Sequence, residues 1–284
     1  MTDPTQVHAE QIAYWNSIAG QRWATRQTQI DAMLAPLTDA VLAAAAPAPG
    51  ARVLDIGCGC GATTLALAKR LPRGHVTGLD VSAPMLEVAA RLGAGAANVT
   101  WLEADAAAHR FAPGAFDLLF SRFGVMFFGD PTAAFANLRA GARRGARLFF
   151  ACWQSLADNP WMQVPLAAAL AHLPPPAPPA PEAPGPFAFA DRARVARILT
   201  GAGWRAPRFT PFGFPVDLGG GRGLDAAVDQ TTKIGAAARA MAEQPEAVRA
   251  AATASIRAAL APHAHDDGRV TLAGAVWLVE SANP

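Results

Sequence analysis

The chain has 284 residues, 52% of them hydrophobic and only 16% charged, with 24 Lys+Arg against 22 Asp+Glu. That length supports a sizeable core, the apolar content excludes a disordered acidic or basic tail, and a net charge of +2 carries no nucleic-acid footprint. Three cysteines are too few for a disulfide framework, and two of them, Cys58 and Cys60, share one turn, which fits a reducing compartment.

The N-terminal run MTDPTQVHAEQIAYW is polar and lacks an apolar signal core. The longest charge-free stretch, residues 159–181, is broken by prolines, and its apolar part is too short to span a bilayer. The expectation is a soluble, cytoplasmic protein with no integral membrane segment. Residues 8–46 read as two amphipathic helices. Ile12, Trp15 and Ala19 recur at helical spacing in the first, which Gly20 is expected to break; Ile30, Leu34, Leu37, Val41 and Leu42 do so in the second. Pro47, Pro49 and Gly50 close this region.

From residue 51 the texture changes. ARVLDIG reads as a short buried strand and ATTLALAKRL as a helix; HVTGLDV is a second strand, followed by SAPMLEVAARLGA, a helix with Ser82 as candidate N-cap and Pro84 in its first turn. VTWLEAD is a third strand. FDLLFSRFGVMFF is a fourth strand with the loop beyond it, DPTAAFANLRAGA a helix with Asp130 as candidate N-cap, and ARLFFACWQ a fifth strand. Strands alternating with helices predict a parallel sheet covered on both faces.

The segment 174–186, with eight prolines in thirteen positions, is expected to be a polyproline-like or mobile loop. DRARVARILTGAGW then reads as a helix. RFTPFGFPVDL reads as an edge or irregular strand because of Pro211 and Pro215, residues 224–261 as Ala-rich helix split near Pro245, and GRVTLAGAVWLVESANP as a final strand. The expected organisation is a single domain, 1–284: a helical cap (1–49), an α/β core (50–154), a helical and Pro-rich insertion with an edge strand (155–269), and the final strand (270–284).

Gly57, Gly59 and Gly61 crowd the turn between the first strand and its helix, at the sheet edge where open α/β folds bind ligands. The spacing is GxGxG rather than GxGxxG, which disfavours a dinucleotide pyrophosphate. Asp55, Asp80 and Asp105 lie at or just past the ends of three successive strands, an arrangement suited to an amine, a diol and an exocyclic amino group, and repulsive to a pyrophosphate.

At VLDIGCGCG, VTGLDVSAPMLEVA and FDLLFSRFGVMFF followed by LRAGARRGARLFF, the chain resembles the class I S-adenosylmethionine-dependent methyltransferases, among them small-molecule and quinone-type members. The resemblance covers about residues 50–154. It extends more loosely to YWNSIAGQRW and the last strand. The family often has PGG before strand five, where this chain has ARRGA. The resemblance implies a Rossmann-like, mostly parallel seven-stranded sheet with helices on both faces, and S-adenosyl-L-methionine as cofactor. It further implies that Gly57, Cys58, Gly59 and Gly61 lie along the methionine part, with Asp55 holding the loop and facing the amino group. Asp80 would accept both ribose hydroxyls, Val81 and Met85 would flank the adenine, and Asp105 and the Ala106 amide would meet its edge. Ser121 and Arg122 would contact the methionine end. Trp23 is nominated to cover the bound cofactor.

Methyl transfer from a sulfonium needs no acid, and a base only where the acceptor has a proton to lose. His109, four residues after Asp105, is the histidine weighed for that role; no catalytic base is assigned. Cys58 and Cys60 lack partner ligands for a metal. Tyr14, Trp15, Trp23, Phe123, Met126, Phe127, Trp153 and Trp161 make an aromatic, charge-poor cap suited to a small apolar or aromatic acceptor. The DNA-methylating Pro-Pro signature after the fourth strand is replaced by SRFG, and no basic patch accompanies it. The expected function is methyl transfer to such an acceptor, not to nucleic acid. A non-catalytic cofactor-binding module and a nicotinamide-dependent oxidoreductase are the competing readings. The acceptor atom and the oligomeric state stay open.

Overall fold

The computed structural model describes residues 4–174 and 182–284. Its centre is one seven-stranded sheet: β1 (Arg52–Ile56), β2 (His75–Asp80), β3 (Val99–Glu103), β4 (Phe116–Arg122), β5 (Ala142–Trp153), β6 (Arg208–Asp217) and β7 (Thr271–Ala282). The strand order is β3-β2-β1-β4-β5-β7-β6. The first five run parallel to one another, and β7 runs antiparallel to both β5 and β6. The parallel strands are linked by α4 (Ala62–Arg70), α5 (Ala83–Leu92) and α6 (Pro131–Gly141), reached after α1 (Pro4–Asn16), α2 (Ile18–Thr25) and α3 (Gln27–Ala45) at the N-terminus. The strand order reverses direction between β1 and β4, which opens a crevice at their carboxyl ends.

The buried strands are near-continuous apolar runs because both faces are covered. Val53, Leu54, Ile56, Leu118, Leu119, Phe120, Leu148 and Phe150 are each at most 2% exposed. Pro211 and Pro215 are tolerated in β6 because that strand pairs on one side only, with β7. Asp130 caps α6 as expected, accepting the Ala133 N–H at 3.0 Å.

The N-terminal cap departs from the two-helix expectation. The break falls at Asn16–Ser17, with Ser17 capping α2 through the Ala19 N–H at 3.3 Å, and Gly20 sits inside α2. Gly20 is there for proximity: a Cβ on it would stand 1.9 Å from the Trp15 carbonyl oxygen. Ser82 occupies the N-cap position of α5 without capping it; its hydroxyl donates instead to the Trp15 carbonyl at 2.7 Å.

The ARRGA turn is built into the start of β5. The register shifts between Phe116 and Leu118, Gly145 takes φ 76°, and the Asn283 amide donates to the Ala142 and Arg143 carbonyls at 3.0 and 3.1 Å. Beyond β5 lie α7 (Pro160–Leu170), α8 (Arg192–Gly201), α9 (Gly223–Lys233), α10 (Ala236–Met241) and α11 (Glu246–Leu260). The last three are the Ala-rich segment, split at Ile234–Gly235 as well as near Pro245. Of the proline-rich segment, residues 175–181 lie outside the described residues.

Candidate functional site

The glycine turn after β1 is shaped by backbone contacts that only glycine permits. Gly57, Gly59 and Gly61 have φ of 66°, 56° and 85°, the left-handed region costly to other residues. A Cβ on Gly57 would meet the Gly124 Cα at 2.6 Å, so the turns after β1 and β4 cross at the sheet's switch point. Gly61 serves packing instead: a Cβ there would strike the Trp101 ring at 2.5 Å.

Three amides of this turn are already spent. Gly57 and Cys58 N–H both donate to the Leu79 carbonyl, at 2.8 and 3.0 Å, and Gly59 N–H donates to Asp80 Oδ2 at 2.7 Å. Asp80 Oδ1 accepts the Ser82 N–H at 2.9 Å. Those three amides therefore form no nest for a phosphate. Burial pushes the Asp80 carboxyl up, against the backbone N–H groups of Ser82, Gly59 and Val81.

An open cavity lies over this turn. Gly57, Cys58, Gly59, Asp80, Val81, Met85, Asp105, Ala106, Arg122 and Trp23 line it together. Gly61, Asp55 and Ser121 are not among its lining residues. Ser121 joins two turns, donating to the Ile56 carbonyl at 2.7 Å and accepting the Gly124 N–H at 3.0 Å.

Asp55 is fully buried inside β1 rather than at the rim. Thr63 and Thr64 of α4 both donate to its Oδ2 at 2.7 Å, while Oδ1 has no partner among the described residues. Burial pushes its carboxyl up to about 6, and the two threonine hydroxyls and Arg122 offset part of that rise.

The lid over the cavity is α1–α3. Asn16 ties α1 to the β2 end by donating to the Val81 carbonyl at 2.8 Å and accepting the Ala83 N–H at 3.1 Å. Trp15 packs edge-on against Trp23 and Phe127, at 5.9 and 5.2 Å between ring centres. Of the eight cap residues, Trp15, Trp23, Phe123, Met126 and Phe127 reach the cavity. Tyr14 packs under Arg239, and Trp153 and Trp161 continue a stack that begins at Phe123. Phe123 itself has φ 72°, backbone strain at the cavity wall.

Two cavity residues were missed by sequence reasoning. His8 Nε2 lies 2.9 Å from Asp105 Oδ2, and the Gly129 N–H donates to its Nδ1 at 3.4 Å, which leaves Nε2 as the donor to Asp105. Asp31 of α3 faces the guanidinium of Arg122 at 3.6 Å and accepts from Gln27. Arg122 also donates to Thr38, and its burial lowers the guanidinium's proton affinity, an effect that Asp31 and Asp55 offset only in part. An acid beside Ile30, in an otherwise apolar stripe, was the available signal for Asp31; nothing in the polar N-terminus singled out His8. The carboxylates that line the cavity are therefore Asp31, Asp80 and Asp105, with Asp55 beneath the turn.

His109 is not among the lining residues; its ring packs on Phe111 at 4.8 Å. Burial raises the Cys58 thiol and pushes Cys60 up to about 12, so both are held as protonated side chains at neutral pH. No cluster of three or more metal-ligating side chains occurs among the described residues.

Residues 53–145 match the methyltransferase domain family model. Over these residues the chain carries a methyltransferase domain. Demethylmenaquinone methyltransferase of Thermus thermophilus is 40% identical over 98 residues, 34% of this chain and 44% of that one. Aklanonic acid methyltransferase of a Streptomyces species is 33% identical over 107 residues, 37% of this chain and 49% of that one. The matched regions thus span about half of these curated relatives. Among solved structures, Haemonchus contortus phosphoethanolamine N-methyltransferase 2 with S-adenosyl-L-methionine superposes at a TM-score of 0.53 and 16% identity, covering 88% of this chain and 52% of that one. This likeness shows the fold. Residues of the methyltransferase domain fit such a cofactor on their own chemistry: the Asp80 and Asp105 carboxylates line the cavity and suit a diol and an amine, and the Gly57, Cys58 and Gly59 amides are already paired and not free for a phosphate. Among the described residues no helix is long and apolar enough to cross a membrane.

Proposed function

We propose that the chain transfers a methyl group from S-adenosyl-L-methionine to a small apolar or aromatic acceptor. The observation that carries this reading is the cavity at the switch point, which gathers Asp80, Asp105 and the Gly57–Gly59 turn beneath an aromatic lid. When bound, S-adenosyl-L-methionine supplies a methyl group on a sulfonium, whose leaving thioether is neutral.

Asp80 accepts the ribose hydroxyls with the lone pairs that the Gly59 and Ser82 amides leave free. Val81 and Met85 flank the adenine, and Asp105 with the Ala106 amide meets its edge. Gly57, Cys58 and Gly59 line the methionine part, and Arg122 takes its carboxylate end. Asp55, Gly61 and Ser121 act from beneath by fixing the turn. Trp23 and Trp15 exclude water above. The histidine that lines the cavity is engaged with Asp105 at the adenine end, so the chemistry rests on alignment and desolvation rather than on a placed base.

Two relatives support a small-molecule acceptor: one is named for demethylmenaquinone and the other for aklanonic acid. The test is incubation with methyl-tritiated S-adenosylmethionine and a panel of quinones, phenols and aromatic acids. Label in an organic-extractable product supports the reading. Cofactor retained with no labelled product would instead identify a non-catalytic binding module.

A further inference from the structure

The sheet sets the order of the groups along the cavity. Strand order β3-β2-β1-β4 puts Asp105 just past β3, Asp80 at the end of β2, the Gly57–Gly59 turn after β1 and Arg122 at the end of β4. Strands β2 and β4 flank β1, which sets them roughly 10 Å apart at ordinary strand spacing. A nucleoside held by Asp105 and Asp80 therefore extends its tail across the turn toward Arg122. Three carboxylates line the cavity: Asp80 and Asp105 are taken in that pose, and Asp31 has no assigned task. Asp55, the acid expected to face the tail's amino group, is buried beneath the turn and is not among the lining residues.

Asp31 is held at the tail's end of the cavity. Gln27, Asp31 and Thr38 stand at i, i+4 and i+11, one stripe of α3, and Ile30 and Leu34 line the cavity from the same helix. Gln27 Nε2 donates to Asp31 Oδ2, and Arg122 Nη1 donates to Thr38 Oγ1. Asp31 Oδ1 faces the Arg122 guanidinium at 3.6 Å, longer than a hydrogen bond. A carboxylate offers about four lone-pair sites, so these two neighbours leave it acceptor capacity, and the Asp31 side chain is 26% exposed where it lines the cavity. After burial itself, the Asp31 charge is the largest influence raising the Cys60 thiol, and the largest of those holding the proton on Arg122. Asp31 thus acts between the glycine turn and β4. An anion and a cation lie side by side there, and the tail that matches them is an α-amino acid zwitterion.

We propose that Asp31 takes the ammonium of the cofactor's methionine tail while Arg122 takes its carboxylate, so that α3 selects ligands carrying the intact amino acid. This rests on the S-adenosylmethionine reading of the cavity. The zwitterion enters the loose Asp31–Arg122 pair without changing the net charge. Because α3 belongs to the lid, the same contact fastens the lid over the bound tail.

Isothermal titration of the full chain with four ligands tests it: S-adenosylhomocysteine, its decarboxylated analogue, which keeps the amine, its deaminated analogue, which keeps the carboxylate, and methylthioadenosine, which has neither. The unsubstituted chain is expected to bind S-adenosylhomocysteine at least roughly fivefold tighter than the deaminated analogue. Asp31→Asn should weaken S-adenosylhomocysteine and the decarboxylated analogue roughly five- to twentyfold. It should leave methylthioadenosine within about twofold, and the deaminated analogue unchanged or tighter, because the ligand carboxylate then has Arg122 to itself. Gln27→Met removes the group that orients Asp31 and should weaken the two amine-bearing ligands roughly two- to fourfold; it supplies the reading if Asp31→Asn does not fold. Equal losses across all four ligands would make Asp31 a support of the lid alone, and undiminished binding of the amine-bearing ligands would place the ammonium elsewhere. Either result overturns the proposal and, with S-adenosylhomocysteine still bound by the unsubstituted chain, leaves the cofactor reading standing. Failure of the unsubstituted chain to bind any of the four would overturn the cofactor reading, and the proposal with it.

Discussion

Replacing Asp80 by alanine separates what its carboxylate does for the turn from what it does for the ligand. The side chain is 6% exposed and accepts two backbone N–H groups, from Gly59 at 2.7 Å and Ser82 at 2.9 Å. Each donor left unpaired costs about 1–3 kcal/mol. Removing a carboxylate whose burial is itself unfavourable returns part of that. The expected net loss is about 2 kcal/mol, or a melting temperature lower by about 3 °C for a chain of this size. Losing the ribose acceptor should weaken S-adenosylhomocysteine binding by about 2 kcal/mol, roughly 30-fold. Asp80→Asn keeps one acceptor oxygen and the shape, and should fall between. Thermal unfolding and isothermal titration read the two effects apart. A melting temperature within about 1 °C of the parent would refute the turn-anchoring argument, and a destabilised variant with undiminished affinity would refute the ribose assignment.

Gly61→Ala drives a methyl group into the Trp101 ring at a backbone φ of 85°; destabilisation of about 2–4 kcal/mol is expected in urea unfolding, and a neutral result would show that this packing is not tight. The Asp55 carboxyl is raised from 3.8 to about 6, so the native state holds its proton more firmly than the unfolded chain. Its contribution is greatest below pH 4 and is lost as the pH rises to about 6, by at most ~3 kcal/mol at 1.36 kcal/mol per pH unit. Denaturant titrations of the parent against Asp55→Asn across that window should show the parent's relative stability falling as pH increases; a rise would contradict the burial argument. His8→Ala removes the contact between the lid and Asp105, and stopped-flow tryptophan fluorescence should show faster association and dissociation of S-adenosylhomocysteine. Unchanged rates would mean that α1 does not gate the cavity.

The alternation of apolar runs with helical periodicity made the parallel core legible, since strands covered on both faces leave little ambiguity from β1 to β5. Glycine spacing and the strand-end acids located the cavity, because a close backbone crossing and a desolvated carboxylate each leave a mark in residue type. Less legible was what depends on distant partners. Gly20 reads as a helix breaker from its neighbours, yet the Trp15 carbonyl beside it is what requires a glycine. Asp55 reads as a rim acid from its place near a strand end, but Thr63 and Thr64 reach it eight and nine residues later and hold it below the surface. His8 meets Asp105 across 97 residues of sequence, a pairing that no local pattern encodes.

The most direct test of where the cofactor sits is a crystal structure of the chain with S-adenosylhomocysteine. The ribose hydroxyls are expected within hydrogen-bonding distance of Asp80, the adenine between Val81 and Met85 with its amino group toward Asp105, and the sulfur facing the Phe123 side of the cavity. A nucleoside bound elsewhere, or one whose ribose makes no contact with Asp80, would contradict it.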